Sequence, residues 1–399
     1  MPIIMIVSAF AALVGNGGAP RATIYMGKKD NDTAERILGN CFTAQIIISA
    51  VLTMVLLIWN RDLLLAFGAS ENTIDYAVAY MNIYAFGTVF VQITLGMNLF
   101  ITAQGFAKTG MLSVLLGAVT NIILDPVFIF ALDMGVKGAA IATVISQVAS
   151  CTYALRFLFS DRIPIKITFR GYDWNVMKRV IQIGMTPFII IAMDNVLIIA
   201  LNTVIQRLGG PGQGDTLLTC TTIVQSFMLV VTMPLGGITS GTQTILGYNY
   251  GAKRPDRIWR AEKWIGGMAL CFTTTMFLIA QLVPEIFVRL FTQNEEYIRL
   301  SVWAIRVYTL GVIPLAVQYT IADGFTGMGI SSVAMGLSMW RKTVFLAGVF
   351  LIPRFAGITN VFYTEPLSDF LGTVVSVLMF CLVFKRVVGN PHERKEAAA

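Results

Sequence analysis

The sequence predicts an all-α polytopic membrane protein in which two pseudo-symmetric helical bundles surround a central cavity. Of its 399 residues, 56% are hydrophobic and 13% are charged, and the mean hydropathy is +0.73. A soluble protein rarely has this composition. Apolar runs of about 20 residues, the length that crosses a bilayer core, recur from one end of the chain to the other. These runs lack the period-two alternation of polar and apolar residues that barrel strands require.

Eleven of these runs predict membrane-spanning helices, and short polar turns separate them. The first five form the first bundle and the last six form the second. In chain order the predicted spans are residues 2–26, 37–59, 76–103, 110–132, 137–159, 177–207, 217–248, 264–290, 298–326, 329–354 and 360–385.

One long polar connection, from Asp161 to Arg179, separates the fifth span from the sixth. Loops and linkers of this kind mark the boundary between two compact parts of a chain. We therefore predict four segments: an N-terminal lobe of residues 1–160, a linker of residues 161–176, a C-terminal lobe of residues 177–388, and a polar tail of residues 389–399.

Lysine and arginine concentrate on the loops of one side, including Lys28, Lys253 and Arg254. By the positive-inside rule this side, with the linker and the C-terminus, faces the cytoplasm of a cell whose cytoplasmic (inner) membrane the chain crosses many times. Counting back through an odd number of spans then places residue 1 outside. A further helix ahead of residue 1 would correct this, so we expect a chain of 5 + 6 helices that lacks its first helix through a wrong start codon, and 6 + 6 helices when it is restored.

The two halves repeat at a constant offset of 224 residues without gaps. Lys29 falls on Lys253 at this offset, Tyr84 falls on Tyr308, and the predicted spans and turns coincide. Such duplication is typical of transporter halves. Because six spans is an even number, both copies enter the membrane from the same side, which predicts parallel repeats.

The composition also excludes several kinds of chemistry. The only histidine, His392, lies in the polar tail, and the cysteines stand alone within apolar runs, so histidine-based metal sites, haem ligation and CxxC sites have no candidate. No HExxH, GxSxG or GxxxxGK[ST] motif occurs, so neither a membrane-embedded enzyme nor an ATP-driven pump is favoured. The net charge of +7 lies on loops beside the spans and indicates topology, not nucleic-acid binding.

Asp125 is the first candidate for a functional residue. An ionisable group near the bilayer centre costs about 2.5–3.5 kcal/mol on insertion scales. Such a group is therefore expected only where it has a partner or a function. Asn121 precedes Asp125 by one helical turn on the same face, and Pro126 frees a backbone carbonyl nearby. In the next span, Thr143 adds a hydroxyl. These oxygens suit a proton or a hard cation such as Na⁺, although Asp125 and Asn121 would also serve to patch a proline kink.

Further charged residues lie at membrane depth in the second lobe. Asp323 replaces Leu99 of the first lobe and is a candidate for attracting cationic substrate. Arg341 fits a structural ion pair with one of the acids as well as it fits a substrate contact. The acids at this depth are Asp194, Asp323, Glu365 and Asp369.

Several motifs, in this order and spacing, resemble the multidrug and toxic compound extrusion family, particularly its bacterial branch of DNA-damage-inducible and staphylococcal-type pumps. The matching stretches are Gly27 to Ala34 (GKKDNDTA), Asn121 to Pro126 (NIILDP), Gly135 to Thr143 (GVKGAAIAT), Gly247 to Gly251 (GYNYG) and Glu365 to Asp369 (EPLSD).

This resemblance implies a twelve-helix, V-shaped exporter that exchanges sodium ions or protons for organic cations by alternating access. It implies a first-lobe ion site formed by Asn121, Asp125, Thr143 and a backbone carbonyl near Ala139, beside an acid on the family's first helix. Thr102 stands where many members have an arginine, one turn after Asn98. We take the substrate pathway to include Asn98, Asp194, Asp323 and Arg341.

We therefore expect a monomeric secondary antiporter whose partners are cationic small molecules and the lipid bilayer, with no nucleic acid and no cofactor beyond the coupling ion, Na⁺ or H⁺. Two alternatives stay open. A lipid-linked oligosaccharide flippase of the same superfamily would need several arginines facing the cavity, for which only Arg341 and Arg306 qualify. An inactive, truncated transporter is the second alternative.

Overall fold

A computed structural model of the chain describes residues 2–66, 74–161, 163–169, 172–210 and 212–388. The predicted tail, residues 389–399 with His392, lies outside the described residues. In the described part the regular structure is helical throughout, with no strand.

Six α-helices precede the linker in the part of the chain that the structure describes. They are α1 (Pro2–Gly27), α2 (Asn31–Ile58), α3 (Asn60–Ala66), α4 (Ile74–Ala103), α5 (Ala107–Pro126) and α6 (Gly135–Leu158), with a π-helical turn at Val127–Ala131 after α5.

Ten α-helices follow the linker in the described residues. They are α7 (Trp174–Gly209), α8 (Gln213–Gly241), α9 (Gln243–Gly251), α10 (Pro255–Leu282), α11 (Pro284–Val288), α12 (Glu295–Tyr308), α13 (Val312–Gly327), α14 (Ser331–Ala356), α15 (Thr364–Met379) and α16 (Lys385–Val388). Short 3₁₀ turns occupy Thr309–Gly311 and Ile358–Tyr363, and a π-helical turn occupies Phe380–Phe384.

Ten helical segments of the described chain are long and apolar enough to cross a membrane. The first predicted span, residues 2–26, is also helical as α1 but is not among those ten. Large apolar side chains cover the outside of the helices; Phe130 is 78% exposed and Phe355 is 83% exposed. Exposed apolar surface on this scale marks a face that meets lipid in a chain of this composition. The predicted all-α, multi-pass membrane fold with two helical lobes is confirmed.

The chain divides into two compact units, Met1–Phe188 and Ile189–Ala399. The border lies inside α7 and not in the linker. The first unit has a core that includes Phe100, Leu158 and Ile165, and the second has a core built around residues such as Phe227 and Phe362. Each unit therefore buries its own apolar side chains.

The linker is held against the first unit as an extended strap, which we define as residues 163–169. Its residues Ile163, Ile165 and Ile167 are buried in the first core. The backbone N–H of Ile165 donates to Gln104 Oε1 at 3.2 Å, and that of Lys166 donates to Glu35 Oε1 at 3.0 Å. These bonds satisfy backbone groups that no helix or strand would satisfy. The strap explains why the first unit continues past residue 160.

The duplication is visible in the backbone of the turns. Lys29 has φ 64° and Lys253, 224 residues later, has φ 54°. Gly105 and Gly329 have φ 91° and 78° at the same offset. Non-glycine residues seldom adopt positive φ, so its recurrence at matched positions is a specific sign of one ancestral turn used twice.

Candidate functional site

In the first unit, Asn121 and Asp125 lie one turn apart near the end of α5. Asn121 Nδ2 donates to Asp125 Oδ1 at 3.2 Å, and both side chains are half-buried. The helix ends at Pro126, and a π-helical turn follows at once. Because the amide engages one carboxylate oxygen, the other oxygen of Asp125 stays available to a ligand.

Thr143 and Ala139 form a second pair on α6. Thr143 Oγ1 donates to the Ala139 carbonyl at 2.8 Å, and Tyr80 Oη of α4 lies 3.5 Å from the same hydroxyl. Tyr80 is a member of this group that the sequence did not reveal. Within the described part of the chain no hydrogen bond joins the α5 pair to the α6 pair, so the four residues of the predicted ion site stand as two oxygen-bearing pairs on neighbouring helices.

Asn98, the first-unit candidate for the substrate pathway, has a packing contact. Its Oδ1 accepts from Ser113 Oγ at 2.9 Å, which connects α4 to α5. Ser113 is fully buried, and its backbone carbonyl accepts from Ser150 Oγ of α6 at 2.6 Å. Asn98 thus belongs to a polar cluster that holds three helices of the first unit together.

The second unit contains a cavity of about 340 Å³. Two of the predicted pathway residues, Asp194 and Arg341, line it together. Its wall combines charged groups with aromatic and apolar ones, the pattern of a site for a ligand with a charged group on an apolar body. The residues used below that line this cavity are Asp194, Met228, Tyr319, Arg341, Lys342 and Glu365.

Arg341 binds two carboxylates of α15. Its Nη1 donates to Glu365 Oε1 at 3.2 Å and to Asp369 Oδ1 at 3.0 Å. Asp369 is fully buried, and the side chains of Arg341 and Glu365 are 15% and 12% exposed. A buried guanidinium that satisfies two acids at once is a structural arrangement, since each charge would otherwise be left without a partner.

Lys342, the neighbour of Arg341 in sequence, forms an ion pair with Asp194 of α7. The side chain of Lys342 is only 2% exposed, whereas that of Asp194 is 50% exposed. Asp194 and Glu365 line the cavity together with Arg341 and Lys342, whereas the fully buried Asp369 does not. Acidic and basic residues of this lining are therefore equal in number, and the Asp194 carboxylate is the more exposed member of its ion pair.

Asp323 does not line this cavity. Its two oxygens accept from Thr239 Oγ1 at 2.5 Å and from Gln243 Nε2 at 3.0 Å. These donors flank the interruption at Thr242 between α8 and α9, which the sequence predicted as one continuous span. Glu262 of α10 is an acidic neighbour of Asp323 and is 7% exposed. Asp323 thus belongs to a separate acidic cluster of the second unit.

Sequence reasoning missed Glu262 and Lys342 for different reasons. Glu262 lies in a charged stretch that we placed ahead of the span 264–290, yet α10 begins at Pro255 and turns Ile258, Glu262 and Ile265 inward. That inward spacing of four and three residues was the signal available in the sequence. Lys342 was left out when its neighbour Arg341 was chosen as the candidate cation, although both lie in the same apolar span.

Comparison with known proteins agrees with this architecture. The sequence profile of the MatE family matches residues 1–127 and 191–349, in both units. The chain belongs to the MatE family. The resemblance inferred from the motifs is thereby confirmed.

Among curated proteins, this MatE chain is similar to the multidrug export protein MepA of Staphylococcus aureus (strain MSSA476), with 19% identity over 98% of the chain and 86% of MepA. It is 20% identical to MepA of Staphylococcus haemolyticus (strain JCSC1435) over 96% of the chain and 83% of that protein.

Among solved structures, one similar to this MatE chain is an outward-facing multidrug resistance MATE family transporter of the MOP superfamily. The TM-score is 0.89 at 20% identity, over 97% of the chain and 86% of that structure. A MOP superfamily transporter from Pyrococcus furiosus gives a TM-score of 0.88 at 20% identity, over 98% of the chain and 87% of that structure. At this identity the likeness concerns the fold.

Proposed function

We propose that this MatE protein is a secondary antiporter that exports organic cations from the cell in exchange for Na⁺ or H⁺ by alternating access. In this proposal it lies in the cytoplasmic membrane with the linker and the C-terminus inside. Membership of a family whose similar curated proteins are named multidrug export proteins supports this reading.

The observation that carries the proposal is the cavity of the second unit with the half-exposed carboxylate of Asp194 in its wall. A cavity of about 340 Å³ has room for a small organic molecule. Its aromatic and thioether side chains, such as Tyr319 and Met228, adapt to varied apolar shapes, while the half-exposed Asp194 carboxylate favours a cation over an anion or a neutral molecule.

The Asn121–Asp125 pair is the proposed coupling-ion site. Asp125 has a carboxylate oxygen that Asn121 does not engage, and Thr143 and Ala139 supply oxygens on the adjacent helix. Carboxylate, hydroxyl and carbonyl oxygens hold either Na⁺ or a proton. The coupling ion is exchanged for substrate if the organic cation can leave only when that ion occupies Asp125.

The flippase alternative is less well supported. Arg341 is already bound to two carboxylates, and Lys342 is bound to Asp194. Arg306, the other candidate, lines a separate cavity of about 440 Å³ with Glu285 and Glu295. In the cavity that Asp194 lines, a pyrophosphate group would therefore meet no unpaired cation among the described residues.

The proposal is tested by efflux of ethidium from cells that express the chain, with either a sodium or a proton gradient imposed. We expect the chain to export ethidium and Asp125→Asn to abolish export, because an amide cannot hold a proton or supply the negative charge that Na⁺ requires. Asp133→Asn, an exposed aspartate in the turn after α5, is the matched control and should leave export unchanged.

No export by the chain under either gradient would refute the proposed function. Export that survives in Asp125→Asn would leave antiport possible but remove the first-unit ion site from it.

A further inference from the structure

We infer that the Lys342 ammonium is a tethered competitor, which occupies the cation position at Asp194 until an organic cation in the second-unit cavity displaces it. This inference rests on the proposed export of organic cations. It concerns how the cavity, defined above by its lining residues, admits a cation.

The two partners of the ion pair differ sharply in exposure. Lys342 is 2% exposed and Asp194 is 50% exposed, and both line the cavity. A ligand that enters the cavity therefore meets the carboxylate directly, while the ammonium that pairs with this carboxylate is buried in the cavity wall. The position that a bound cation would prefer is already taken by a cation of the protein itself.

Lys342 has the means to leave this position. Its ammonium stands at the end of a flexible four-carbon stem with three rotatable donors, unlike the planar and doubly anchored guanidinium of Arg341. A second carboxylate, Glu365, lines the same cavity and acts electrostatically on Lys342. An ammonium that leaves Asp194 therefore stays in the electrostatic field of a second carboxylate, which Arg341 also engages.

Displacement also keeps the Asp194 carboxylate paired throughout. Without Lys342, the Asp194 carboxylate would be unpaired until a cation bound to it. An unpaired charge is costly within a membrane protein. With Lys342 in place, the carboxylate is paired before binding by the ammonium and after binding by the ligand. The ligand class that fits is a monovalent organic cation with an apolar body.

A tethered competitor lowers the measured affinity for the ligand. This affinity equals the intrinsic affinity multiplied by the fraction of time for which the Asp194 carboxylate is vacant. If Asp194 is vacant for about a tenth of the time, removing the ammonium should tighten cation binding about tenfold. A residue that merely supports the cavity wall would give the opposite result, because its loss would loosen the site.

The test is equilibrium binding of ethidium to the purified full chain, with Nile red as an uncharged dye for comparison. We expect Lys342→Met to bind ethidium about tenfold more tightly and Nile red as before. Lys342→Arg should return the dissociation constant of ethidium toward the original value. Lys263→Met, which removes an exposed lysine of α10, is the matched control and should change nothing.

The double variant Asp194→Asn/Lys342→Met gives the decisive comparison. Without the carboxylate there is no position to compete for, so the tightening should vanish. Lys342→Gln retains a hydrogen-bond donor for Asp194 and replaces Lys342→Met if the latter does not fold.

An unchanged or weaker affinity for ethidium in folded Lys342→Met or Lys342→Gln would overturn the inference. Tightening that persists in the double variant would also overturn it, because the competition would then not be at Asp194. Either result leaves the proposed function intact as long as the unmodified chain exports ethidium from cells, so the two failures are distinguishable.

Discussion

At the scale of single residues, Arg341 shows how a charge is made acceptable inside the second unit. The guanidinium has five donors in a planar fork and uses them on Glu365 and the fully buried Asp369. The sequence left open whether Arg341 was a structural ion pair or a substrate contact. Its two hydrogen bonds to carboxylates of α15 favour the structural role. Forming part of the cavity wall is its secondary role.

Replacing Arg341 by methionine should therefore destabilise the protein by about 3–5 kcal/mol, because two buried carboxylates lose their partner. Thermal denaturation of the detergent-solubilised chain measures this as a fall in Tm. Arg354→Met removes an exposed arginine of the same helix and should have little effect. Adding Glu365→Gln and Asp369→Asn to Arg341→Met should restore much of the loss; equal Tm values for Arg341→Met and Arg354→Met would contradict the structural role.

Asp30 gives a second residue-scale prediction, outside the membrane spans. It caps α2 by accepting from the backbone N–H of Thr33 at 3.1 Å, and the hydrogen bonds from Thr33 lower the pKa of its carboxyl below the ordinary value of 3.8. Asp30→Ala should cost about 1 kcal/mol at neutral pH. Because the folded pKa is lowered, the part due to ionisation is fully present above pH 3.8 and is lost as the pH falls through the lowered pKa.

Comparing Tm for the original chain and Asp30→Ala at neutral and strongly acidic pH checks this dependence. Asp30→Asn keeps a capping oxygen and loses the charge, so its deficit should be smaller. A difference in Tm between the original chain and Asp30→Ala that grows as the pH falls would show that the ionised carboxylate is not what stabilises this turn.

At the scale of elements, the strap of residues 163–169 is packed as part of the first unit. It lies so close to α2 that a Cβ added at Gly39 would collide with the Thr168 carbonyl oxygen. Gly39 therefore serves close backbone approach, a role that a larger residue cannot fill. The contact holds the strap over the end of the first core, where its isoleucines are buried.

Gly39→Val should consequently release the strap and make the exposed Lys166 a faster site of trypsin cleavage, by an order of magnitude or so, since proteolysis follows the population of the open segment. Mass spectrometry of timed digests gives the rate at this site. Gly336→Ala, at a helical glycine with open space around it, is the control. Unchanged cleavage at Lys166 in Gly39→Val would mean that the strap is held by its own hydrogen bonds and not by the glycine contact.

The elements also show what a single sequence can predict. Apolar length and polar turns placed a predicted span on each of the ten long apolar segments of the described chain, because spanning a membrane fixes both length and hydropathy. They did not reveal the interruption at Thr242, which involves no proline or charge, or the docking of the strap, whose three isoleucines alternate within a polar stretch. Pairings such as Lys342 with Asp194 join residues far apart in the chain, and they depend on packing that hydropathy does not encode.

At the scale of the whole molecule, the dominant feature is duplication with a loss of symmetry at the positions proposed for function. The turns at Lys29 and Lys253 share one backbone conformation, yet Asp125 of the first unit corresponds to Val349 of the second. The scaffold was kept twice while the charged residues diverged. This agrees with the proposal that the first unit handles the coupling ion and the second unit holds the organic cation.

The duplication predicts a labelling pattern. In a chain without native cysteines, Lys28→Cys and Ala252→Cys should react with a membrane-impermeant maleimide from one side, and Met134→Cys and Ala356→Cys from the other. The proposed orientation places the first pair inside, so intact cells should label only the second pair, and everted vesicles only the first. Labelling of Lys28→Cys and Ala252→Cys from opposite sides would refute parallel repeats.

Helix α7 has a further consequence, for synthesis. The first unit extends to Phe188, halfway along α7, and the rest of this helix belongs to the second unit. Lobes generally fold in order as the ribosome releases them. Here the ribosome must pass the strap and begin the next membrane helix before the first unit has all of its parts. The moment at which that unit can close is therefore tied to the insertion of α7. A gene split in the polar linker ahead of α7 would leave the part of α7 that belongs to the first unit on the second fragment.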